Sequence, residues 1–235
     1  MLIQTRALSF TVNPAKGAVK ALHQVAEHPI ARFVFGHGAG ANMQHAHMQQ
    51  LADVLSSHGI ETLRYNFPYM QAGGGRTDSL PVCLDTIDNA LKLAAMLAPN
   101  LPVFLCGHSF GGRMNSHYAA TETSNIAGLV YFSFPLHPSK KPDVKRAAHL
   151  PDIHVPQLFV SGTRDTLATL GLLEPIIETL PLASLHKIDT ADHGLKTLKR
   201  TRQSSEDAYS EAGRVVGSWT RDILAQELGS TVHTV

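Results

Sequence analysis

The chain is poor in cysteine and has almost no excess charge, and each shortage excludes a class of protein. Two cysteines, Cys83 and Cys106, occur among 235 residues, and both lie in apolar surroundings. We therefore expect buried free thiols, and the sequence does not fit a disulfide scaffold. The net charge of +1 gives no electrostatic reason to expect binding to nucleic acid or to a membrane surface.

Long apolar runs are also missing. No run is long enough to cross a bilayer, and residues 1–6 lack the apolar stretch of a signal peptide. A cytoplasmic location is therefore expected. The chain is 43% hydrophobic and 17% charged, which suits one globular domain over residues 1–235. The sequence shows no internal repeat or linker and carries no signal of oligomeric state.

Strand-like and helix-like patterns alternate along the chain, which predicts an α/β fold with a mostly parallel sheet. Buried strands are predicted at 30–35, 61–67, 101–106, 126–132, 156–161 and 183–188, with an edge strand at 5–12. Helices are predicted at 44–58, 80–97, 112–120, 167–180 and 205–228, the fourth broken around Gly171 and Pro175. The segment 135–156 has room for a short loop or helix, which predicts an open site.

The most informative motif is Gly107-His108-Ser109-Phe110-Gly111, which follows an apolar strand and precedes a helix. A strand-to-helix turn this tight forces its central residue into a strained conformation and exposes the hydroxyl. A glycine-rich loop with an exposed serine is the alternative, but the setting between strand and helix favours a nucleophile. Ser109 is therefore the predicted nucleophile.

A serine nucleophile needs a base and an acid that orients the base. Asp165 follows the strand at 156–161, and His193 follows the strand at 183–188. Acid and base are expected in this order at the ends of later strands. Asp189 and Asp192 are closer to His193 in sequence and are rival acids, but Asp192 would have to bend back to reach the imidazole.

The loop after the strand at 30–35 predicts a site for the negative oxygen of an acyl-transfer intermediate. We assign one backbone N–H donor to Phe110 and the other to Ala39, with Gly40 as the alternative. The glycine spacing at 36–41 also fits a dinucleotide-binding turn. A dinucleotide-binding site requires an acidic residue at the carboxyl end of the next strand. The one acidic residue of that strand, Glu61, lies at its start.

Other polar groups have ordinary explanations. His45 and His47 are two residues apart and cannot face the same way on a helix, so a solvated helix start is expected and no metal site. Lys140, Lys141, Lys145 and Arg146 form one basic cluster, and Lys196, Lys199, Arg200 and Arg202 form another. Surface charge explains both, although the second could attract an anionic substrate. Arg64 and Arg113 could make ion pairs or contact substrate.

These residues resemble the α/β-hydrolase superfamily. The resemblance covers the chain from about residue 30 onward and rests on 37–40, 107–112, 162–165 and 192–194. Segments 64–69 and 112–114 are similar to a small cap-less subgroup with uncharacterised bacterial, testis-expressed and acetyltransferase-complex relatives. The resemblance implies an eight-stranded, mostly parallel sheet with helices on both faces. Dienelactone hydrolases are more distant and use cysteine where this chain has Ser109.

We therefore predict a serine hydrolase that cleaves an ester or related acyl bond of a small molecule through Ser109, His193 and Asp165. No metal or organic cofactor is required by this chemistry. A peptidase or thioesterase could use the same three residues. A catalytically silent binding module with this fold is the other alternative.

Overall fold

The computed structural model describes residues 4–121, 125–198 and 200–232. Within these ranges the strands are β1 (Thr5–Asn13), β2 (Gly17–Gln24), β3 (Ala31–Gly36), β4 (Ile60–Tyr65), β5 (Val103–His108), β6 (Gly128–Phe132), β7 (Gln157–Gly162) and β8 (Ala183–Ile188). The helices are α1 (Ala46–Ser56), α2 (Pro68–Gln71), α3 (Leu80–Leu97), α4 (Phe110–Thr121), α5 (Leu170–Glu178) and α6 (Ala208–Val232).

The eight strands form one mostly parallel sheet. Their order is β1-β2-β4-β3-β5-β6-β7-β8. The six strands β3 to β8 run parallel, whereas β1 and β2 form an antiparallel edge. The carboxyl ends of parallel strands meet at one edge of the sheet, so the loops after β3, β5, β7 and β8 open on the same side. This is the edge that carries the α/β-hydrolase-like motifs.

Both faces of the sheet are covered, which explains the continuous apolar runs of the central strands. Side chains alternate between the faces, so Phe104 and Cys106 of β5 pack with α1 and α6 while Leu105 packs with α3, α4 and α5. Cys83 and Cys106 are free and buried. None of the described helices is both long and apolar enough to cross a membrane.

The turn between β5 and α4 depends on backbone packing without side chains. A Cβ on Gly111 would lie 2.3 Å from the backbone of Gly36, at the end of β3. A Cβ on Gly107 would lie 2.1 Å from the backbone nitrogen of Gly112. Glycine is required at these positions because the backbones touch, and the contact presses the start of α4 against the ends of β3 and β5.

Some predicted elements differ from the observed ones. Strand β2 was not among the predicted strands, because its alternating residues are too polar to stand out, and it pairs with β1 and β4. Helix α1 is shorter than predicted, and α6 begins later and extends further. Helix α5 is continuous through Pro175, so the predicted break is wrong; a proline removes one N–H donor and here does not end the helix.

The segment between β6 and β7 is the position in the chain where a cap domain over the site could be inserted. It contains two short 3-10 turns, Lys145–Ala147 and Leu150–Asp152. The prediction that no large cap covers the site is therefore confirmed.

We expect Gly111→Ala to destabilise the fold by about 3 kcal/mol, because its methyl group would overlap the Gly36 backbone. Gly171→Ala is the control, since a Cβ there meets no atom within 4 Å and helical alanine should add about 0.5–1 kcal/mol. Urea unfolding measures both. Equal stability of the two variants would show that the Gly36–Gly111 contact does not exclude a side chain at position 111.

Candidate active site

Ser109 lies between β5 and α4 with a backbone φ of +50°. A serine with positive φ is strained, and such strain persists where the surrounding structure enforces it. Its N–H donates to the Phe132 carbonyl of β6 at 3.0 Å, and its own carbonyl accepts from the Arg113 N–H of α4. These bonds fix the turn from both sides, so the hydroxyl direction is set by the backbone.

His193 lies between the Ser109 hydroxyl and the Asp165 carboxylate. Its Nε2 is 2.8 Å from Ser109 Oγ, and its Nδ1 is 2.8 Å from Asp165 Oδ2 and 3.0 Å from Oδ1. A carboxylate only accepts, so Nδ1 carries the proton and Nε2 is the acceptor for the serine hydroxyl. The Asp165 side chain is fully buried, and its Oδ1 also accepts the Leu167 N–H.

The rival acids have other partners. Asp192 Oδ1 accepts the N–H groups of Gly194 and Lys196, which shapes the loop that carries His193. Asp189 Oδ2 accepts the Gln203 N–H. The structure therefore brings Asp165 to the imidazole, although both rivals are closer in sequence.

The loop after β3 is held by two side-chain hydrogen bonds. The buried His37 accepts the Phe67 N–H at Nε2, 3.1 Å away, so its Nδ1 carries the proton and donates to the Gly38 carbonyl at 2.8 Å. The Tyr69 hydroxyl donates to the Ala39 carbonyl at 2.9 Å. Because a trans peptide points its C=O and N–H in opposite directions, these bonds also fix the N–H groups of Ala39 and Gly40.

This loop also lies close to the strained serine. A Cβ on Gly38 would be 3.7 Å from the Ser109 Cβ. Phe110 is the first residue of α4, where backbone N–H groups have no intrahelical acceptor. The Tyr69 ring packs edge-on against Phe110 with centroids 6.0 Å apart. The residues predicted to supply the two N–H donors thus belong to segments that pack together.

Arg64 and Asn66 support the far end of the same loop. Arg64 is fully buried and donates to the Met43 carbonyl, to Gln24 and to Gln49, while Asn66 Oδ1 accepts the Met43 N–H. Burial lowers the pKa of Arg64 to about 10. Arg64 is therefore structural, a role that the sequence did not decide. Tyr69 was not singled out individually, although it falls in the segment 64–69 that carried part of the resemblance.

His47 corrects one prediction. It is buried beside His108, with ring centroids 4.3 Å apart, and its Nδ1 lies 2.8 Å from the Tyr209 hydroxyl. The expected solvated helix start is therefore wrong for His47, because α6 covers this face of α1. His108 Nε2 donates to the His193 carbonyl at 3.2 Å, so His108 supports the loop that carries His193.

A cavity of about 290 Å³ adjoins these histidines, with largely apolar walls. His45, His47, His108, Gly194, Lys196 and Tyr209 are among its lining residues. Burial lowers the pKa of His47 to about 4 and that of His108 to about 3. Both imidazoles are therefore neutral at pH 7.

The basic cluster after His193 is divided in the structure. Lys196 and Arg200 are exposed, and Lys199 lies outside the described residues. Arg202 is tied into the fold by its bonds to the Asp189 and Glu206 carbonyls and its ion pair with Glu211. Among the described residues, no group of three or more His, Cys, Asp or Glu side chains could hold a metal ion.

Comparisons with known proteins agree with this architecture. A family model described as an alpha/beta hydrolase domain matches residues 29–221. A dienelactone hydrolase from Anabaena variabilis is 20% identical, with a TM-score of 0.74 over 94% of this chain and 98% of that one. The esterase domain of a Rhodothermus marinus protein is 17% identical, with a TM-score of 0.70 over 94% and 99% of the two chains.

A third solved structure is an α/β serine hydrolase without a lid from Xanthomonas campestris. It is 19% identical, with a TM-score of 0.64 over 83% of this chain and 88% of that one. At these identities the solved structures establish the fold, and the match to the family model establishes the family.

We expect the free energy of unfolding to fall between pH 7 and pH 4, in part because of His37. Burial lowers its folded pKa from 6.5 to about 4, so the unfolded chain takes up the proton first. The contribution of His37 to the free energy of unfolding, about 3 kcal/mol, is fully present above pH 6.5 and is lost as the pH falls towards 4. Urea unfolding at several pH values measures the slope.

The slope of the free energy of unfolding against pH counts the protons taken up on unfolding. His37→Asn should lower that count by roughly one, whatever it does to stability at pH 7. His28→Asn is the control, because His28 is exposed. If His37→Asn keeps the pH dependence of the parent protein, His37 is not its source.

Proposed function

This chain belongs to the α/β-hydrolase domain family and has no large cap, and from that premise we propose that it is a serine hydrolase cleaving an ester or related acyl bond of a small molecule. The observation that carries the proposal is the 2.8 Å contact between Ser109 Oγ and His193 Nε2, with Asp165 bonded to the opposite nitrogen. This is the geometry of a nucleophile with its base and orienting acid.

The roles follow from the hydrogen bonds. Ser109 Oγ attacks the carbonyl carbon while its proton passes to His193 Nε2. The negative carboxylate of Asp165 stabilises the imidazolium and keeps the proton on Nδ1. His193 then gives the Nε2 proton to the leaving group as the acyl bond breaks. A water molecule, deprotonated by the same imidazole, cleaves the acyl-enzyme and restores the serine.

The negative oxygen of the tetrahedral intermediate is held by the N–H groups of Phe110 and Ala39, with Gly40 as the alternative to Ala39. Two features support this assignment: the Phe110 N–H lies at the start of α4, and the Ala39 and Gly40 peptides are fixed by His37 and Tyr69. Donors held in place before the reaction need no reorganisation as charge develops. His37 and Tyr69 are positioning residues in this scheme.

Ser109→Ala should lower ester turnover by roughly 10⁴-fold or more, because the nucleophile is removed. A fluorophosphonate probe should label the parent protein at Ser109 and leave Ser109→Ala unlabelled. Ser9→Ala is the control, since Ser9 is exposed on the edge strand β1. Retained turnover in Ser109→Ala would place the nucleophile elsewhere, and a folded parent protein that resists the probe would favour the non-catalytic alternative.

Tyr69→Phe should lower kcat about threefold to tenfold with little change in KM, because the Ala39 carbonyl loses the donor that holds this loop in place and orients the Gly40 N–H. The control is Tyr118→Phe. Tyr118 is as buried as Tyr69, at 5% against 6% exposure, but its hydroxyl bonds Asp88, on α3. Steady-state kinetics on a neutral p-nitrophenyl ester measures both. Equal kcat values for the two variants would contradict the positioning role of Tyr69.

A further inference from the structure

Arg113 is a half-buried cation close to Ser109. It lies on α4, one helical turn beyond the serine, and its backbone N–H donates to the Ser109 carbonyl at 3.0 Å. Its Nε has essentially no exposed surface and no hydrogen-bond partner. Among the described residues, its guanidinium makes no ion pair either. Partly burying a charged group without a partner is costly, so this arrangement calls for an explanation.

A second guanidinium lies on the segment after β6, which packs against α4 through His149. Arg146 is on the 3-10 turn Lys145–Ala147, and its side chain donates to the Pro135 carbonyl at 3.3 Å. Pro135 lies just beyond β6, which pairs with β5, the strand that ends immediately before Ser109. Burial and then the charge of Arg146 lower the pKa of Arg113. The two positive charges therefore disfavour each other, and they lie on the segments that follow β5 and β6.

The surroundings do not cancel this charge. Lys140, Lys141 and Lys145 are exposed on the same segment, and among the described residues none of them forms an ion pair. Asp143 accepts the Lys145 backbone N–H, and Asp152 is the other acid of this segment. His117, one turn beyond Arg113, stacks on His149 with ring centroids 3.7 Å apart; burial lowers the pKa of His149 to about 4, so its imidazole is neutral at pH 7 and supplies no compensating negative charge.

We propose that Arg113 and Arg146 bind an anionic group of the substrate, a carboxylate or a phosphate, while its acyl bond lies at Ser109. A guanidinium presents a planar fork of donors that matches either anion, and two adjacent guanidinium groups are stabilised when an anion lies between them. This inference rests on the proposed function and makes it more specific. The substrate is then an acidic ester and not a neutral lipid-like one.

The spacing suggests a short substrate. Ser109 and Arg113 are four residues apart, which is about 6 Å along a helix axis. The half-ester of a short dicarboxylic acid, whose acid and ester groups are a few bonds apart, is therefore the substrate to test. The 3-10 turns between β6 and β7 supply the second arginine where larger relatives could carry a cap.

The test compares two esters of equal length, the mono-p-nitrophenyl ester of glutaric acid and its methyl-capped neutral counterpart. The parent protein should have a kcat/KM for the acidic ester at least tenfold above that for the neutral one. Arg113→Gln and Arg146→Gln should each lower this ratio by roughly tenfold to a hundredfold, as expected for a lost charge-assisted hydrogen bond. Arg113→Lys should restore part of it.

Arg6→Gln is the matched control, because Arg6 is an exposed arginine on the edge strand β1 that bonds Gln4, and it should keep the parent ratio. Thermal unfolding checks that each variant folds. If Arg113→Gln does not fold, Arg146→Gln on its surface turn decides the question. A parent protein without preference for the acidic ester, or a ratio unchanged in folded arginine variants, would overturn the proposal.

Direct binding separates this inference from the proposed function. Calorimetry on Ser109→Ala with glutarate and with inorganic phosphate should show binding that is lost in Ser109→Ala/Arg113→Gln, and the better ligand identifies the anion class. Binding without probe labelling of the parent protein would support the anion site and contradict the hydrolase. Probe labelling and neutral-ester turnover without anion binding would contradict the anion site and leave the hydrolase standing.

Discussion

The contact between backbones beneath Ser109 is the constraint on which the rest of the site depends. Gly111 lies against Gly36, and Gly107 against Gly112, at distances that leave no room for a Cβ. This packing brings the start of α4 to the ends of β3 and β5, and it holds Ser109 at a φ of +50°. The strain is sustained because many strand and helix contacts outweigh the cost at one residue.

The same edge of the sheet concentrates other strained and polar groups. Ser133, Thr190 and Leu195 also have positive φ, and they lie in the loops after β6 and β8. Buried polar side chains support these loops: His108 bonds the backbone of His193, and Arg64 bonds that of Met43. The proposed chemistry therefore depends on supporting groups, namely neutral imidazoles and a buried guanidinium, whose partners include the backbone carbonyls of the site's loops.

Sequence reasoning found the elements whose signals are local. The apolar runs of β3 to β8 and the helical spacing of α3 are visible because burial on both faces leaves few polar residues. Strand β2 was missed because it belongs to an antiparallel edge where polar residues are tolerated. His47 was misread because its burial comes from Tyr209, which is 162 positions away. Neither case carries a signal within a short window of sequence.

The sequence by itself determined the strand-turn-helix around Ser109 and the order of its candidate partners, because these depend on glycine spacing and on positions relative to apolar runs. Tertiary structure decided that Asp165 meets His193 while the nearer Asp189 and Asp192 bond backbone N–H groups. It also decided that Arg64 is structural and that Arg113 has no partner among the described residues. These outcomes depend on which side chains the sheet brings together, and a distance in sequence does not encode a distance in space.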